Sequence, residues 1–229
     1  EACFMDYIFQ FNVIWQNWRL FAQGVWLTIQ ITSIAMVLGL VVGMIMAGLQ
    51  TLKIRPVTAV IQVYIEIIRN TPFLVQLFFV YFGLPTLGIL VPAWQAALLA
   101  LTINIGAYAT EIVRAGVEAI SKGQIEAGRS LGLSTVQIFT HIIIKPALMT
   151  VYPALTSQFI LFMLNSAVIS AISAQELAYQ AYYIQSRTFR SFEIYLFVTL
   201  LYLGLAYLFR AAFGLIGKLL FGKVPVNQP

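Results

Sequence analysis

Cysteine, histidine and aspartate are nearly missing from this 229-residue chain: Cys3, His141 and Asp6 are the only examples. A single cysteine permits no internal disulfide. One histidine and one aspartate cannot build a two-histidine metal site or a Ser-His-Asp triad. His141 is instead expected to face solvent or lipid headgroups from a short polar helix. Charge is scarce too, at 9% of residues against about a quarter in soluble domains. The phosphate-loop pattern G-x-x-x-x-G-K-[ST] is also lacking, because Gly217-Lys218 is followed by Leu219 and has no upstream partner glycine. Bond-making chemistry and nucleotide hydrolysis are therefore not expected of these residues.

What the chain has is apolar surface. With 61% hydrophobic residues, it carries more than a soluble core of this size can bury, so lipid must be the solvent for much of it. One domain of packed helices over residues 1–229 is the simplest organisation. The net charge of +5 fits the Lys/Arg excess of cytoplasmic loops better than nucleic-acid binding. No cleavable signal peptide is expected, since the first long apolar run lacks a basic flank and a small-residue cleavage site.

Spans need about 20 apolar residues each. Hydropathy places five, at about residues 21–49, 57–84, 93–117, 148–172 and 192–216, the second interrupted at Asn70-Thr71-Pro72. With the N-terminus outside, Lys53, Arg55, Lys122, Arg129, Lys145, Lys218 and Lys223 fall inside, and Arg19, Arg187 and Arg190 outside. That bias predicts N-out, C-in. Trp15, Trp18, Trp26 and Trp94 are expected as interfacial anchors.

The hydrophilic segment of about residues 118–147 reads as an ordered helix pair. Ser121…Gln124 and Ser134…Gln137 both have capping-box form. Gly132 suits a left-handed helix end, and Pro146 is expected to limit the second helix. The predicted helices are about 122–131 and 135–144, and Leu131, Ile138 and Ile142 are expected to give them an apolar face.

Within this segment, Glu126-Ala127-Gly128 followed by Gly132 resembles the E-A-A…G loop of permease subunits of ABC importers. Three further stretches are similar to the polar amino acid branch of that family: Tyr64-Ile-Glu66-Ile-Ile-Arg69-Asn-Thr71-Pro72-Phe-Leu-Val-Gln76, Ala107-Tyr108-Ala-Thr-Glu111-Ile-Val-Arg114-Ala-Gly116, and Phe162-Met-Leu-Asn165-Ser166-Ala-Val-Ile-Ser170. The chain departs from the pattern at Gly128, where the family has alanine, and at Pro146, one position late.

The resemblance implies an all-α integral membrane fold of the type I importer class, in the bacterial inner membrane, with about five spans and a two-helix cytoplasmic coupling loop. It implies a function as half of an amino acid translocation path. The implied partners are a second permease subunit, the same or similar, two ATP-binding subunits carrying ATP and Mg, and a periplasmic or lipid-tethered binding protein. Glu126, Ala127, Gly128 and Gly132 would couple to the ATPase. Nucleic acid has no part in this.

Polar residues inside spans cost on the order of 2.5–3.5 kcal/mol when charged, so they are placed facing protein or water. Asn104, Tyr108, Glu111 and Glu118 share one face of the third span, and Gln62, Glu66, Arg69 and Gln76 one face of the second. Glu66 with Arg69, and Glu111 with Arg114, are spaced i, i+3. They read equally as local ion pairs or as pathway-lining groups. Asn165 and Ser166 are further pathway candidates. Pro72 marks a kink, or a broken helix that offers backbone groups to substrate. Two other classes remain open: an ion-driven secondary transporter, which usually shows inverted repeats not visible here, and a membrane scaffold that moves nothing.

Overall fold

The structure is a computed structural model that describes residues 8–222, apart from the side chains of residues 122, 135, 139 and 145. Cys3, Asp6 and Lys223 lie outside the described residues. Every regular element among them is helical: α1 (Asn12–Gln16), α2 (Trp18–Thr51), α3 (Arg55–Arg69), α4 (Phe73–Thr86), α5 (Ala93–Glu118), α6 (Lys122–Ser130), α7 (Thr135–Gln137), α8 (Ile144–Asn165), α9 (Leu177–Thr188) and α10 (Ser191–Phe221). Four helical stretches are long and apolar enough to cross a membrane: Trp18–Thr51, Ala93–Glu118, Pro146–Ile172 and Ser191–Phe221. The fifth candidate span is the pair α3 and α4, bent by 107° at the predicted interruption. Outward-facing Val37, Phe79 and Leu200 suit hydrocarbon, where polar backbone must be satisfied internally.

Helix α5 is the axis of the bundle and packs against α2, α3, α4 and α8. Its buried face is built largely from small residues, including Ala96, Ala97, Ala100, Gly106, Ala107 and Ala109. Small side chains let membrane helices approach closely without a hydrophobic drive between them. Gly39 and Gly43 of α2 complete that fit. A Cβ on Gly43 would stand 2.6 Å from the Cβ of Ala109, and one on Gly39 would meet the side chain of Ile105.

One local expectation is corrected. Pro146 does not end a helix: α7, a π-helical turn (Ile138–Ile143) and α8 run on without a break from residue 135 to 165. A widened turn just upstream is one of the few ways a helix accommodates a proline's ring and missing amide. The fourth span ends as a 3₁₀ segment (Ser166–Ile172), closed by Ser173 at φ +61°. Two short helices had no counterpart in the hydropathy reading, α1 and α9, both at the end of the bundle away from α6. Helix α9 packs on α2 and α10. Its N-cap is Glu176, fully buried, which accepts bonds from the Tyr179 amide (2.9 Å) and the Tyr202 hydroxyl (2.7 Å).

Candidate functional site: a polar cavity beside a broken span, and a helical knuckle

Proline has no amide and disfavours helix in the residue before it, so the chain stops being helical between Arg69 and Phe73. A break at membrane depth leaves carbonyls that lipid cannot satisfy. Side chains near the break supply the donors. Asn70 Nδ2 donates to the Glu66 carbonyl (2.9 Å), Thr71 Oγ1 to that of Ile67 (2.8 Å), and Gln76 Nε2 to that of Ile68 (2.7 Å). The carbonyls of Glu66, Ile67 and Ile68 are thus engaged. Gln76 is itself gripped from α5, because Asn104 Nδ2 donates to its Oε1 at 2.8 Å.

Alongside the break, α3 and α5 enclose a polar cavity of about 440 Å³. Gln62, Glu66 and Arg69 reach it from α3, and Tyr108, Glu111 and Arg114 from α5. The two polar stripes therefore divide. Gln76 and the buried Asn104 brace the break, Glu118 lies beyond the cavity, and the others meet in it. Arg69 does not pair with Glu66 at i−3. Its Nη1 crosses to Glu111 Oε2 at 3.2 Å, and its guanidinium stands 5.4 Å from the centre of the Tyr108 ring. Glu111 also accepts from Arg114 Nε (3.0 Å) and Nη2 (3.2 Å), so the expected i, i+3 pair on α5 is present. Arg114 Nη1 continues to Glu118 at 2.7 Å. Arg69, Glu111, Arg114 and Glu118 thus form an ion-pair ladder from the broken span to the end of α5. Glu66 makes no ion pair among the described residues.

Asn165 is exposed at the end of α8, whereas Ser166 is fully buried and donates to the Met163 carbonyl at 2.6 Å. Tyr64, which the sequence reading did not single out, anchors α3 to α5 through a bond to the Ile103 carbonyl (2.5 Å). Nothing local in the sequence announces it, since its partner lies 39 residues away. The buried Glu176 left a faint signal in Ser173-Ala-Gln-Glu176, a capping-box spacing. The structure uses the glutamate itself as the cap.

The segment after α5 is an ordered knuckle. Leu133 N–H donates to the Gly128 carbonyl (3.1 Å) and Gly132 N–H to that of Arg129 (2.9 Å), the two bonds of a Schellman ending, with Gly132 at φ +75°. The chain then re-enters helix through a closed capping box: Ser134 N–H donates to Gln137 Oε1 (2.9 Å) and Gln137 N–H to Ser134 Oγ (3.3 Å). The box expected at Ser121 does not form, since no side chain caps α6. Gly128 is the contact between the two limbs. A Cβ there would stand 2.6 Å from Ile142 Cδ1 and 3.2 Å from Ile138 Cγ1. Ile138 and Ile142 therefore turn inward to hold the knuckle together, correcting their assignment to its outer apolar face. Among the described side chains, Leu131 and Val136 are the large apolar residues displayed, 80% and 71% exposed. Glu126 and Ala127 are exposed beside them.

Residues 39–221 match the family described as binding-protein-dependent transport system inner membrane component. Among curated proteins, the chain is 36% identical over 192 residues to the probable glutamine ABC transporter permease protein GlnM of Bacillus subtilis, covering 84% of this chain and 89% of that one. Among solved structures, it is similar to an amino acid ABC transporter crystallised with histidines, at 36% identity and a TM-score of 0.83 over 93% of this chain and 99% of that chain. An inward-facing MetNI methionine ABC transporter shares the fold, with a TM-score of 0.74 at 24% identity over 93% of this chain and 99% of that one. With most of its length matched on both counts, the chain belongs to the family of binding-protein-dependent transport system inner membrane components.

Proposed function

We propose that this chain is the membrane subunit of an ATP-driven amino acid importer and supplies half of its translocation path. The observation that carries the reading is the pairing of an exposed rigid knuckle with a polar cavity at a broken span, in a chain of this family whose relatives are named as amino acid permeases. In this reading the whole chain is one permease domain in a bacterial inner membrane, N-terminus outside and C-terminus inside. A second permease subunit completes the path. Two ATP-binding subunits, carrying ATP and Mg, dock on the knuckle around Glu126, Ala127, Gly128 and Gly132. A periplasmic or lipid-tethered binding protein delivers substrate at the opposite end.

The cavity residues divide the work. Glu66, unpaired among the described residues, receives an ammonium group of the substrate. Arg69, Tyr108 and Glu111 line the path beside it. Asn104 and Pro72 hold the shape of the broken span. Asn165, at the end of α8, and Ser166, at the start of the 3₁₀ segment, bound the path. The π turn joins the knuckle directly to α8, so displacement of the knuckle by closing ATPases tilts that span.

The test is uptake and ATPase assay of the reconstituted complex carrying Glu126→Lys. The expected result is normal membrane insertion, continued ATP hydrolysis and uptake lowered at least tenfold. Unchanged uptake overturns the assignment of the knuckle.

A further inference from the structure

At the end of the bundle away from the knuckle, α1, α2 and α10 enclose an apolar groove of about 370 Å³ that the transport reading does not use. Phe21 and Phe197 form its floor, packed edge to face at 5.1 Å. Trp15, Trp18 and Trp26 stand along its sides, 78%, 56% and 61% exposed, and Leu201 lines it from α10. Exposed indoles at the end of a span sit at headgroup depth. The guanidinium of Arg19 is 5.8 Å from the ring centre of Trp18, one of those walls, and Arg19 makes no ion pair among the described residues. An apolar slot next to an uncommitted guanidinium at headgroup depth matches one ligand chemistry: an acyl chain carrying a phosphodiester.

The charges around the groove select the headgroup. The carboxylates of this end among the described residues, Glu176 and Glu193, are both fully buried, while Arg19 and Arg187 are exposed. Among the described residues, an ammonium-bearing headgroup finds no exposed acid there, and a net-negative one finds arginine. We propose that this groove is a binding site for a single anionic phospholipid, its phosphate on Arg19 and one acyl chain between Trp15, Trp18 and Trp26. The site stands independently of the transport assignment.

The test uses the assembled complex in detergent. Bound lipid is counted by native mass spectrometry, and unfolding temperature is followed with added phosphatidylglycerol, phosphatidylcholine or inorganic phosphate. Phosphatidylglycerol is expected to be retained about tenfold better than phosphatidylcholine and to raise the unfolding temperature, as a ligand of the native state must. Inorganic phosphate alone is expected to do nothing. Arg19→Gln should abolish the preference between the two lipids, and Arg19→Lys should keep most of it. Ala22→Trp, which fills the groove from α2, should remove one retained lipid per copy of the chain. Equal retention of both lipids by the unaltered complex overturns the proposal, as does full retention in Ala22→Trp. Quantitative disulfide cross-linking of Trp15→Cys (in a Cys3→Ser background) to another subunit also overturns it, because protein then covers the groove.

Discussion

Gln76 of α4 donates its side-chain amide to the carbonyl of Ile68 in α3, 2.7 Å away across the break at Pro72. That bond gives the Ile68 carbonyl a donor where the span bends by 107°. Gln76→Leu keeps size but removes both the donor and the acceptor of Asn104. It is expected to destabilise the fold by about 1–3 kcal/mol and to lower uptake, measured by thermal unfolding and transport assay. Asn104→Ala combined with Gln76→Ala should cost less than the sum of the two single changes, since both sever one network.

In the cavity, Glu111 serves two arginines and Glu66 serves none of the described residues. Glu66→Gln should therefore leave stability within about 0.5 kcal/mol, as surface-like changes do, while raising the KM for uptake at least tenfold. Unchanged KM removes Glu66 from the path. Glu111→Gln should do more damage to folding, because it strands Arg69 and Arg114 together without their shared acid.

The knuckle makes a backbone prediction. Gly132 stands at φ +75°, so Gly132→Ala should cost about 1 kcal/mol, visible as earlier proteolysis of the knuckle and weaker coupling of ATPase to uptake. Gly128→Ala meets the flexible tip of Ile142 and should be tolerated. Gly128→Leu should separate α6 from the π turn and abolish coupling.

Glu176 lies in the connection between the last two spans, and burial raises its carboxyl pKa against the opposing pull of its hydrogen bonds. A raised acid holds its proton more readily in the folded chain than in the unfolded one. The contribution of Glu176 to stability should therefore be greatest at low pH and fall as pH rises from about 4.3, the unfolded value, through the folded one. Glu176→Gln should flatten that slope, whereas Glu176→Ala should cost about 1–3 kcal/mol. Unfolding temperatures measured across pH 4–8 separate the two.

The spans, the break at Pro72 and the bend at Gly132 were readable in advance because each follows from a local constraint. Hydrocarbon demands long apolar runs, proline lacks an amide, and a positive φ favours glycine. The faces of α3 and α5 were readable too, since helical spacing sets which residues share a side. Helices α1 and α9 escaped because 5- and 12-residue elements with mixed composition leave no hydropathy signal.

Sequence alone thus determined which stretches are apolar and long enough to cross, where one breaks and which residue types lie on common faces. Only the tertiary structure decided that Arg69 reaches Glu111 instead of Glu66, that Asn104 braces Gln76, and that Ile138 and Ile142 close on Gly128. Those partners are 42, 28, 10 and 14 residues apart in sequence. Spacing along a helix orients a side chain, but packing between helices chooses what it meets.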